Sequence, residues 1–131
     1  MNPGDCSAPL HPLARRGLEA FNRREYFEAH ELLEEAWREE KGPIRGLYQG
    51  ILQAAVCYLH IERGNLNGGM RMYARCKPKL DNWPDTCRGV DVAGLRRSLS
   101  TVMEAVSRLG PENIHDFYLS LFQPISYDLY E

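Results

Sequence analysis

Between Glu25 and Trp37 the chain reads EYFEAHELLEEAW, five glutamates and one histidine set among apolar residues at helical intervals. His30 and Glu34 stand four residues apart, the spacing at which a carboxylate on a helix can orient an imidazole and raise its basicity. On a helical wheel the pair lies at the edge of an apolar face made by Tyr26, Ala29, Leu33, Ala36 and Trp37. Glu28, Glu31 and Glu35 point the other way, as solvated charge. The chemistry this allows is acid–base catalysis, ligand binding or metal ligation.

A second segment, LYQGILQAAVCYLHIER, carries the complementary polar groups. Leu47, Tyr48, Ile51, Leu52, Ala54, Ala55, Tyr58 and Leu59 leave most of this helix apolar, the mark of a central position. Gly46, Gln49, Gly50, Gln53, Val56, Cys57 and His60 form one stripe of small and polar residues, with Arg45 and Arg63 on its shoulder. The small residues let a neighbour approach closely, and the amides and imidazole then need partners, because an unpaired buried polar group costs roughly 1–3 kcal/mol. The short EKGP link predicts antiparallel packing of the two helices. His30, Glu34, Gln49, Gln53 and His60 would then meet as one polar cluster.

Three readings of that cluster compete, and the expected one is a ligand-binding or catalytic pocket. In one, the cluster is a hydrogen-bond network that fixes helix register in a non-enzymatic interaction module or homodimer. Or it lines a small-molecule or catalytic, hydrolase-like pocket, with His30, Glu34 and His60 as catalytic groups and Gln49, Gln53, Trp37, Tyr26 and Arg63 contacting the ligand. Or His30, Glu34 and His60 hold a divalent metal. Neither HExxH nor the paired ExxH of di-iron bundles occurs, and RGNLNGG lacks the lysine and serine of a phosphate loop. Trp83 and the tail aromatics read as core, and His11 and His115 lie beside loops.

The elements that must position these residues are helical throughout. Predicted helices cover Pro12 to Arg23, Glu25 to Glu40, Pro43 to Arg63, Leu66 to Leu80 with a kink or break at Pro78, and VAGLRRSLSTVMEAVSRL. Gly42 and Gly64 suit left-handed caps, and Asn65 suits an N-cap. DNWPDTCRGVD reads as a loop. The tail HDFYLSLFQPISYDLYE is too apolar to hang free, so it docks on this domain or on a second subunit. The expectation is an all-α, single-domain bundle of about five helices, the first two a tetratricopeptide-like hairpin. Residues 1–11 are an extension, 12–109 the helical core and 110–131 the docked segment.

With 131 residues, 26% of them charged, and a net charge of −2, nothing points to nucleic acid or an anionic membrane as a partner. The apolar run ILQAAVCYLHI is about half of the ~20 residues a bilayer span needs. The N-terminus MNPGDCSAPLHP has no basic start and apolar run, so the expected setting is cytoplasmic. Cys6, Cys57, Cys76 and Cys87 show no CxxC spacing and read as reduced thiols, with a Cys76–Cys87 bridge left open.

FNRREYFEAHELLEEAWR, LYQGILQAAVCYLHIERGNLNGG and GVDVAGL together resemble the domain of unknown function 309 family, over about Leu13 to Leu109. The resemblance implies a small all-helical protein with no established activity. Its pattern matches Glu28, His30, Glu31, Glu34, Trp37, Gln49, Gln53 and His60. Arg23–Arg24 stand where a glycine often sits, and Pro78 falls inside a helix.

Overall fold

A computed structural model describes residues 3–117 and 119–129. The short helix α1 (Pro3–Ser7) precedes α2 (Pro12–Asn22), α3 (Tyr26–Glu39), α4 (Arg45–Glu62) and α5 (Leu66–Asp81). A two-stranded hairpin, β1 (Thr86–Cys87) and β2 (Val90–Asp91), leads into α6 (Val92–Asn113). From α2 to α6 each helix packs antiparallel on the next. Gly17 of α2 meets Leu33 of α3, Tyr26 of α3 meets Tyr58 of α4, and Gly50 of α4 meets Leu80 of α5. The all-α class holds, with the small hairpin as an addition.

Local chemistry sets the element boundaries. Pro12 opens α2, where the His11 ring caps it by accepting from the Leu13 N–H at 3.0 Å. Asn65 caps α5 by accepting from the Gly68 N–H at 2.9 Å, and Gly64 takes the left-handed conformation (φ 76°) between α4 and α5. Arg24 also sits at positive φ (63°), a conformation that favours glycine.

Two local expectations are corrected. Gly42 is not a left-handed cap: α3 ends at an extended Glu40 (ψ 139°), and α4 starts at Arg45 after a turn through Pro43. α5 runs unbroken across Pro78. Both Pro78 and Ala74, whose carbonyl loses its donor, are exposed, so the break in the ladder falls on the solvent side of the helix.

The core centres on α4, whose Leu47, Tyr48, Ile51, Ala54, Ala55, Cys57 and Tyr58 are buried. Rings of Phe21, Tyr26, Tyr58 and Phe122 join α2, α3, α4 and the tail, Tyr58 stacking on Phe122 at 4.3 Å. The tail therefore docks on its own domain. Asn22 exchanges hydrogen bonds with the Ile125 backbone at 2.7 and 2.9 Å, and Leu129 N–H donates to Gly89 O at 2.9 Å. Among the described residues no helix is long and apolar enough to cross a membrane.

Candidate functional site

His30 and Glu34 pair as their spacing predicts: His30 Nε2 lies 3.0 Å from Glu34 Oε2. The other carboxylate oxygen accepts from Arg38, one turn further on. This His–Glu–Arg line runs along the outer face of α3 in an open groove of about 190 Å³, walled by Phe27, His30, Glu31, Glu34, Glu35 and Arg38. All six residues belong to α3. Phe27 is 54% exposed, with its ring centroid 6.3 Å from that of His30.

The expected five-residue cluster is not assembled. The stripe on α4 faces α5 and its following loop, not α3. A methyl group on Gly50 would stand 2.9 Å from Leu80 Cδ2, and one on Gly46 would stand 3.7 Å from the Trp83 indole. Cys57 Sγ donates to Gly69 O at 3.3 Å. His60 Nδ1 is 3.3 Å from Asn65 Nδ2, and its ring fills the space that a side chain on Gly68 would need. The small residues were a sign of close helix packing, and α5 is the helix that uses them. Gln53 Oε1 is buried without a hydrogen-bond partner among the described residues, and Gln49 is half-buried.

The remaining candidates scatter. Tyr26 is core, 2% exposed, and burial among the other rings pushes its phenol well above the ordinary range. Trp37 lies at the other end of α3, where the Arg45 guanidinium covers its ring at 4.2 Å and Arg45 Nε donates to its carbonyl at 2.9 Å. Arg63 is exposed at the end of α4. Among the described residues no three His, Cys, Asp or Glu side chains gather as a metal site. His30, Glu34 and His60 thus do not converge as a ligand set.

A second polar centre was missed from the sequence. Arg88, only 8% exposed, occupies the turn between β1 and β2 at φ 49°, next to Gly89 at φ 80°. This two-residue turn with both φ values positive normally takes Asn or Asp beside glycine. Arg88 Nε donates to Asp5 O at 2.5 Å, and Nη1 lies 3.4 Å from Pro9 O, 3.4 Å from Glu40 Oε2 and 3.1 Å from the Tyr48 hydroxyl. The same hydroxyl accepts from His11 N–H at 3.1 Å. Burial raises the Tyr48 phenol, against the lowering effect of the His11 and Arg88 donors. Beside it, Cys6 and Cys87 form a disulfide across 81 residues of sequence. That corrects the reading of four reduced thiols and removes the Cys76–Cys87 bridge: Cys57 and Cys76 are the buried free thiols. The dipeptide Arg88–Gly89 was the available signal for this turn.

Residues 14–72 match the family model described as a domain of unknown function, DUF309. The match covers the His30 segment and all of α4, and ends within α5. A protein of Aquifex aeolicus (strain VF5), named only as uncharacterised, is 29% identical over 92 residues, which is 70% of this chain and 28% of that protein. The uncharacterised protein YpuF of Bacillus subtilis (strain 168) is 44% identical over 52 residues, 39% of this chain and 30% of YpuF. The chain thus spans less than a third of the length of either relative. The DUF309 match agrees with the resemblance read from the motifs and brings no activity with it.

Proposed function

We propose that this DUF309 chain is a non-enzymatic helical interaction module that docks a basic, amphipathic helix of a partner protein on the outer face of α3. Phe27 carries the reading. An aromatic ring left 54% exposed on a helix whose opposite face, Tyr26, Ala29, Leu33 and Ala36, is packed in the core is a ready anchor, since burying such a side chain yields roughly 1.5–3 kcal/mol. Glu31, Glu34 and Glu35 around it outnumber Arg38, so the face favours a cationic partner and opposes a second copy of itself. The His30–Glu34–Arg38 line would contribute hydrogen bonds at the rim. The small share of the relatives' length that the chain matches fits a segment carried within larger proteins.

The test is an amide chemical-shift titration of the isotope-labelled chain. The probes are a short Leu/Lys amphipathic peptide, its Leu/Glu counterpart, and zinc. The expected result is that the cationic peptide alone moves Phe27, His30 and Glu31, that added salt weakens the effect, and that Phe27→Asp abolishes it. A cationic peptide that leaves α3 unmoved overturns the proposal. Zinc moving His30 and His60 together would favour the metal reading in its place, and self-association through this face would favour the homodimer.

A further inference from the structure

We infer that the Cys6–Cys87 disulfide is a redox latch that holds the N-terminal strap, residues 5–11, over the buried Arg88–Tyr48 pair. Apart from the disulfide, the strap is held by hydrogen bonds along its length: Arg88 Nη1 lies 3.4 Å from Pro9 O and His11 Nε2 3.1 Å from Glu39 Oε1. Arg88 N–H donates to Cys6 O at 2.7 Å, Arg88 Nε to Asp5 O at 2.5 Å, and His11 N–H to the Tyr48 hydroxyl at 3.1 Å. Leu10, 9% exposed, is the most buried side chain of the strap. Against these stands Asp5, whose Oδ2 is buried with no hydrogen-bond partner among the described residues. An unpaired buried oxygen is stabilised by release into water. The covalent bond therefore restrains a segment that carries its own reason to leave.

The two sulfurs differ in access. Cys87 is 1% exposed while Cys6 is half-buried, so an incoming thiolate reaches Cys6. A dithiol reductant attacks Cys6 Sγ, the S–S bond breaks, and Cys87 leaves as a thiolate that takes up a proton. The second thiol of the reductant then displaces Cys6 as its thiol, and the reductant ends as its own disulfide. Two electrons and two protons pass to the cysteine pair. The other thiols do not compete: both are buried, and Cys76 is held protonated with its pKa pushed up to about 12 by desolvation. In a thiol-buffered compartment a bond of this kind responds to redox state. Opening it uncovers the Arg88 guanidinium, which donates to the strap carbonyls, and the Tyr48 hydroxyl, which accepts from the strap's His11 N–H.

Hydrogen exchange of the full chain, oxidised and then reduced with dithiothreitol, tests the latch. The oxidised chain should weigh two hydrogens less than the reduced one. On reduction the amides of Arg88 and His11 should exchange at least about tenfold faster while those of α4, such as Ala54, stay unchanged. Cys6→Ser should behave as the reduced form with or without dithiothreitol. Three results overturn the proposal: no mass difference, so that no bond forms; unchanged exchange at Arg88 and His11, so that the strap stays seated; or faster exchange throughout α4, so that the disulfide supports the whole fold.

Discussion

The His30–Glu34 line and the Arg88 centre are both polar, yet they are built in opposite ways. The first comes from one helix: its three side chains satisfy each other at i, i+4 spacing and face outward. The second is collected from α1, the strap, the end of α3, α4 and the hairpin, and its members turn inward to serve one another. Side chains satisfied within one helix leave the rest of that surface available to a partner. Side chains gathered from distant segments hold those segments together. The chain keeps its outward polar line and its inward polar centre apart.

That contrast can be broken by substitution. Arg88→Ala should cost about 3 kcal/mol, read from urea denaturation, since it strands Glu40 and Tyr48, and Arg88→Lys should recover only part of it.

Alkaline pH probes the interior around α4 and α5. Cys76 stays protonated in the fold to about pH 12 but ionises in the unfolded chain from its ordinary value of 9.0. Its contribution is therefore complete below pH 9 and is lost as pH rises from there toward 12. The loss should reach the order of 2 kcal/mol near pH 11 and shrink in Cys76→Ala.

The two histidines then separate. His60→Ala should destabilise by about 1 kcal/mol, through the lost packing on Gly68 and the contact with Asn65. His30→Ala should change stability by no more than about 0.5 kcal/mol, as a half-exposed i, i+4 pair on one helix does. Equal costs at His30 and His60 would erase the distinction between a pair within one helix and a ring packed between two.

Much of this was legible along the chain. Helices α2 to α6, the Asn65 cap, the Gly64 turn and the His30–Glu34 pair depend on neighbours within a turn or two, where periodicity and capping chemistry act. The stripe of Gly46, Gly50, Cys57 and His60 was legible as a close-packing face. Which helix covers it was not, because periodicity names a face without naming its neighbour. Least legible was the Arg88 centre. Cys6 and Cys87 carry no local spacing signal at 81 residues apart. Arg88 is buried only because backbone carbonyls from the strap come to meet it.

The most direct measurement is calorimetric titration of the Leu/Lys amphipathic peptide into the wild-type chain and into Phe27→Asp. Docking on α3 requires saturable binding by the wild type and at least about a tenfold loss in the variant, roughly 1.4 kcal/mol, with its helical content unchanged. Equal affinity for the two chains would contradict it.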